Sequence, residues 1–324
     1  MSRSCALVVG TVTAAVVGVA CSSFGAGGGP AEGDEAGAAR DGDVADDDGA
    51  RGDANAAGGS RCDRSKPFGT PQPVLGLTTD FTEGGASLSR DGLALLFHTN
   101  VTTGNEANRI HVAGRAGEGA PFGAAQPLVG NFGDLSMNDP HLVSSGRLFF
   151  TAGRNGDAFQ VESAILKGDL TLEARASIPS LASSSATIQP YATDGRLYVA
   201  SERARNAFHI FAATITAAGE IETPQLVDEL VGPGAEWRPV VTPDDLTIYF
   251  ARSPTADIAG MDIFVARRTT PTEKFGAPEL VAELSEPGVF DNPTWVSADE
   301  CRIYFESVRR QGGGGDVWVA ERPR

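Results

Sequence analysis

Glu83, Asp139, Gln189, Glu236 and Asp291 each stand just before a short apolar run, at intervals of 56, 50, 47 and 55 residues. Four carboxyls and an amide gathered at one place could do three kinds of chemistry. They could hold a hard cation such as Ca2+, which takes oxygen ligands. They could receive the basic terminus of a partner. With two acids driven to different pKa values, they could also serve as an acid/base pair on a glycosidic bond. Trp237, beside Glu236, is the tryptophan placed to meet a sugar or a peptide.

Other chemistry is sparse. No Gly-x-Ser-x-Gly nucleophile motif occurs. The four histidines, His98, His111, His141 and His209, have neither His-x-His nor His-Glu-x-x-His spacing, so no metal catalysis is read from them. His98 and His111 fall on adjacent strands, where they could face each other or pack separately. Arg154, Arg203, Arg252 and Arg309 recur at a regular interval, as do Asp262 and Asp316, which is what contacts between structural copies demand.

Lys+Arg 26 against Asp+Glu 42 gives a net charge of −16, which opposes a nucleic-acid partner. Forty glycines, nineteen prolines and 41% hydrophobic residues describe a sizeable core cut by many turns. A polytopic membrane protein and a helical bundle are excluded on the same grounds.

The acidity is concentrated. Residues 1–21 carry Arg3 and then an apolar run, Ala6 to Ala20, too short for a spanning helix, and so read as a secretion signal. Val17-Gly18-Val19-Ala20-Cys21 resembles the lipobox of bacterial lipoproteins, with Gly18 in place of the usual aliphatic residue. Cys21 is the expected lipidation site, and Ser22 after it favours an outer-membrane lipoprotein facing the periplasm or the cell surface. Residues 22–60 hold nine acids against Arg40 and Arg51 among Gly, Ala and Ser, and are expected to be a disordered linker. Thirty-nine such residues reach roughly 35 Å.

Residues 61–324 repeat. A turn and a short strand recur at Asp91, Ser145, Asp194, Asp244 and Asp299, spaced 54, 49, 50 and 55 residues apart. Each copy continues through a polar loop and a second strand, such as Asp262-Ile263-Phe264-Val265-Ala266, to a third segment such as Phe275-Gly276-Ala277-Pro278-Glu279-Leu280-Val281. With the strand entering each turn, this makes four strands per copy. The expected fold is an all-β five-bladed β-propeller, with six blades as the alternative. The last copy lacks its outermost strand, and Pro67-Phe68-Gly69-Thr70-Pro71-Gln72-Pro73-Val74-Leu75 matches the missing segment. The N-terminal strand should therefore close the ring on the last blade. Cys62 and Cys301 are an expected disulfide across that closure, and the five polar residues become a ring at one mouth of the channel.

Segments such as Asp291-Asn292-Pro293-Thr294-Trp295-Val296-Ser297 ahead of Arg302-Ile303-Tyr304-Phe305, and Ser89-Arg90-Asp91-Gly92, resemble the PD40 repeat, a WD40-like unit found in TolB-like exported lipoproteins. Ser145 replaces the turn Asp of that repeat, and Asp245 and Glu300 replace its turn Gly. The resemblance implies a non-enzymatic, monomeric propeller that binds or scaffolds a protein or peptide in the cell envelope and meets the membrane only through its lipid anchor. A carbohydrate-binding or glycoside-hydrolase-type propeller using the acidic ring is the alternative.

Overall fold

A Ser or Thr two places before an Asp marks three of the turns, and the hydrogen bonds explain the pattern. Ser89 Oγ donates to Asp91 Oδ1 (2.6 Å), which also accepts the Leu93 N–H (3.0 Å), while Ser89 Oγ accepts the Ala94 N–H (2.9 Å). Thr242 with Asp244, and Ser297 with Asp299, repeat the arrangement. Each such turn ends with a residue in the left-handed region, Gly92, Asp245 or Glu300.

The computed structural model describes residues 62–74, 77, 82–100, 107–154, 157–204, 207–253, 260–309 and 315–324. The expected signal segment with Cys21, the expected linker over 22–60 and Leu75 lie outside them. Among the described residues no helix is long and apolar enough to cross a membrane. Five antiparallel four-stranded sheets form the five blades of a β-propeller. From the innermost strand outward, blade 1 is Glu83–Leu88, Ala94–Thr99, Arg109–Gly114 and Gln126–Pro127. Blade 2 is Ser136–Leu142, Arg147–Gly153, Gln160–Leu166 and Leu172–Ser177, and blade 3 is Thr187–Ala192, Arg196–Ser201, His209–Thr214 and Gln225–Leu226. Blade 4 is Glu236–Val241, Thr247–Arg252, Asp262–Arg267 and Glu279–Leu280. Blade 5 takes Asp291–Val296, Arg302–Ser307 and Asp316–Glu321 from one end of the chain and Gln72–Pro73 from the other.

Closure reproduces the bonds of the other blades. Gly69 N–H donates to Glu321 O (2.8 Å) as Gly123 does to Gly114 O and Gly276 does to Arg267 O. The three preceding phenylalanines, Phe68, Phe122 and Phe275, each lie under an arginine, Arg322, Arg115 and Arg268. Cys62 and Cys301 form the disulfide over the same junction, with Cα atoms 5.6 Å apart. In the chain-entropy picture a loop of 239 residues favours the folded ring by about 5 kcal/mol.

The core lies between blades. Tyr198, Tyr249, Phe149, Phe150, Phe250 and Phe305 are fully buried, and each apolar cluster joins neighbouring sheets. Leu135, Leu181, Leu230 and Leu284 occupy the connections between blades, and Arg109, Arg203, Arg252 and Arg309 donate to their carbonyls at 2.5–2.7 Å. The periodic arginines 203, 252 and 309 are therefore blade-to-blade latches. Arg154 instead pairs with Asp134 at the surface (2.8 Å).

The two acids that replace turn glycines bridge junctions. Tyr198 of blade 3 donates to Asp245 Oδ1 of blade 4 (2.6 Å), and Arg268 approaches both, at 2.6 Å from Asp245 Oδ2 and 3.0 Å from the Tyr198 hydroxyl. One junction on, Tyr249 donates to Glu300 Oε2 of blade 5 (2.8 Å), and Arg322 lies 3.5 Å from that hydroxyl.

Candidate functional site

Each innermost strand bulges after its second to third residue. The bulge residue has positive φ in four blades: Gly85, Asp139, Gln189 and Arg238. Proline follows it in three, Pro140, Pro190 and Pro239. An innermost strand has a free inner edge, so it tolerates a residue without an N–H. The turn of the backbone at these positions aims each N–H at the preceding blade. Asp139 N–H donates to His98 Nδ1 (3.2 Å), Gln189 N–H to Thr151 Oγ1 (2.8 Å) and Arg238 N–H to Gln189 Oε1 (3.0 Å).

Side chains then cross the axis. The Arg238 guanidinium pairs through Nη1 with Asp139 Oδ1 and through Nη2 with Glu306 Oε2 (2.8 Å), while Thr151 Oγ1 donates to Asp139 Oδ2 (3.1 Å). All three charged side chains are about nine-tenths buried, at 10 to 11% exposure. Burial opposes the Arg238 charge, but Asp139 and Glu306 outweigh it and raise its pKa. Burial lowers the pKa of His98 against the pull of the same two acids, in keeping with an imidazole nitrogen that accepts the Asp139 N–H. A Cβ at Gly84 would come within 2.8 Å of Glu306 and His98, which fixes glycine there. A space of about 20 Å³ lies among Asp139, Gln189 and Arg238, room for one water and too little for a sugar ring.

The acids and amide picked out in the sequence do not form one ring. Asp139 and Gln189 sit at bulge positions on the axis. Glu83, Glu236 and Asp291 sit two residues before the bulge, where each backbone N–H instead bonds the preceding blade, to Gly315 O, Phe208 O and Met261 O at 2.8 to 3.0 Å. The carboxylate of Glu236 is fully buried, 2.6 Å from His209 Nδ1 and 3.1 Å from Arg252 Nε, and that of Asp291 accepts Arg309 Nη2 at 2.7 Å. These are joints between blades. Trp237 has one face against Phe208, with centroids 4.3 Å apart. His98 and His111 pair with Ile110 and Phe97 respectively, so they lie on opposite faces of their sheet. Arg238 and Glu306, which complete the axial group, were missed. The Pro after three of the bulge residues marks the correct alignment, and Glu306 is the acid in a row otherwise made of His98, Thr151, Ala200 and Ala251.

A larger space lies on the turn face, where blade 5 meets blade 1. This groove has a volume of about 610 Å³, within the range of ligand pockets. Leu88 and Trp295 give it apolar wall. Gly92, Arg115, Arg302 and Arg322 give it polar wall, and the Cys62–Cys301 disulfide lies at its edge. Among the described residues no group of three or more His, Cys, Asp or Glu side chains could hold a metal ion. The guanidinium of Arg238 lies between the two axial carboxylates that a hard cation would need.

No protein-family model matches the chain, and no curated protein matches it. Solved structures do. A thermostable family-43 glycoside hydrolase is 13% identical, over 77% of this chain and 91% of that one, with a TM-score of 0.50. TolB from Acinetobacter baumannii is 12% identical, over 80% of this chain and 55% of that one, with a TM-score of 0.42. The exo-beta-1,3-galactanase from Phanerochaete chrysosporium is 8% identical, over 78% and 64%, with a TM-score of 0.49. At such identities the likeness to the hydrolase is one of fold alone.

Proposed function

We propose that the chain is an exported, non-enzymatic binding domain, monomeric and held at an outer membrane by lipidated Cys21 and the acidic linker, and that it takes a protein or peptide partner on the turn face of the ring. The observation that carries this reading is the contrast in available space. The space among Asp139, Gln189 and Arg238 is about 20 Å³, while the groove between blades 5 and 1 holds about 610 Å³. The glycosidase reading needs two carboxyls with a sugar between them, and a guanidinium stands between Asp139 and Glu306. A photo-crosslinking residue at Gly117, beside the groove, tests the proposal against one at Val308, which is 43% exposed at the other end of the blade-5 strand. A protein partner captured in the envelope from Gly117 and not from Val308 supports it. Release of reducing sugar from polysaccharide by the purified ring would replace it with the glycosidase reading.

A further inference from the structure

Three junctions of the ring are built alike. Blades 3, 4 and 5 each present a tyrosine at the pair that follows the bulge, Tyr198, Tyr249 and Tyr304. The blade after each presents an arginine at the end of its third strand, Arg268, Arg322 and Arg115, whose Nε donates to the carbonyl of the left-handed turn residue at 2.7, 3.0 and 2.7 Å. In two of the three junctions that turn residue is an acid, Asp245 or Glu300, and its carboxylate receives the tyrosine hydroxyl. In the third it is Gly92, with φ 68° against 60° and 52° for the two acids. Tyr304 and Arg115 are both in place, and the Arg115 charge lies near enough to act on the Tyr304 phenol. The other two junctions lack the whole set. Blades 1 and 2 carry Leu96 and Phe149 at the tyrosine position, and the turns they face close more tightly, at Val143–Arg147 and Thr193–Arg196.

The groove opens where that third acid would project. Gly92 and Arg115 line it, Tyr304 stands behind Trp295 with ring centroids 5.8 Å apart, and a Cβ on Gly92 would lie 3.3 Å from Arg115 Nη2. The chain's own acids at the groove have partners of their own, although the Glu321 charge also reaches Tyr304. Asp91 and Asp299 bind their own turns, and Glu118 and Glu321 meet Arg302 at 3.2 and 2.7 Å. We infer that this junction is a receptor site for an acidic side chain of a bound peptide, whose carboxylate takes the place that Asp245 and Glu300 fill in the other two copies, between the tyrosine hydroxyl and the arginine. A charge-assisted bond to a buried tyrosine hydroxyl and a half-buried arginine is worth more than an exposed ion pair, and the adjoining Trp295 and Leu88 cover the aliphatic part of the side chain.

The inference rests on the peptide-binding reading, so its test separates the two. The probe is N-acetyl-glutamate N′-methylamide with its glutamine analogue as control, titrated into the full chain while the Trp295 indole N–H is followed by NMR. The glutamate probe should bind at least tenfold more tightly than the glutamine one. Gly92→Asp, which supplies the acid from within, should fold normally and weaken glutamate binding at least tenfold. Tyr304→Phe, which keeps the ring volume, should weaken it several-fold and guards against a folding defect in the first variant. Equal binding of the two analogues, or glutamate affinity unchanged by both substitutions, overturns the inference. A crosslinked partner at Gly117 together with that result would leave the peptide reading standing and remove only the carboxylate site.

Discussion

The axis and the seam between blades 5 and 1 treat charge in opposite ways. On the axis three blades supply Asp139, Arg238 and Glu306, which pair with one another across the channel. At the seam two members of a recurring three-part contact are present and the third is a glycine, so the groove stays open. Neither difference is visible in a single blade. A repeat makes an omission legible, because the filled copies show which group the empty one lacks.

Four measurements would break or sharpen that contrast. Arg238→Met should have the largest effect, because it leaves two buried carboxylates without their cation. A loss of about 3–5 kcal/mol in urea unfolding is expected, and a loss under about 1 kcal/mol would mean that the axis is held by packing alone. Removing the seam disulfide with Cys62→Ser should cost roughly 2–4 kcal/mol in the same assay. Acidification should come third. Burial lowers the pKa of His141 from 6.5 to about 4, while its Nε2 donates to Ala192 O. The unfolded chain then takes up a proton near pH 6.5 that the folded ring refuses. Stability falls between pH 6.5 and about 4, by up to roughly 3 kcal/mol, and is then level. His98 and His111, also lowered chiefly by burial, act in the same direction. Denaturation midpoints at several pH values should show a shallower slope for His141→Gln, and an identical slope would dismiss the assignment. The smallest effect separates the junctions themselves. Tyr198→Phe takes a donor from buried Asp245 and should cost about 1–2 kcal/mol, whereas Tyr304→Phe at the open seam should cost under about 1 kcal/mol in a thermal melt.

What the sequence disclosed, and what it hid, divides along physical lines. Turns, period and closure were legible because backbone conformation dictates residue type there. Ser89, Thr242 and Ser297 must bond an Asp two places on, and Phe68 must sit under Arg322 as Phe275 does under Arg268. The Cys62–Cys301 pair followed from that closure. The axial group was not legible, because each bulge inserts a residue and shifts which side chain faces inward. Aligning Glu236 with Asp139 overlooks that Arg238, ahead of Pro239, matches Asp139 ahead of Pro140. Glu306 was hidden for another reason. It belongs to a second strand, and the absence of side chains on Gly84 and Gly315 leaves room for its carboxylate to reach the axis.

The seam disulfide also dictates an order of events during biogenesis. Cys62 leaves the ribosome well before Cys301, 239 positions further on, so the first thiol has no native partner until the chain has reached the turn ahead of Arg302–Ser307. Oxidation of that pair therefore reports that the first described segment has met the fifth blade. A nascent chain stalled before Cys301 would keep the Cys62 thiol free, so labelling of that thiol would distinguish an incomplete product from a closed ring.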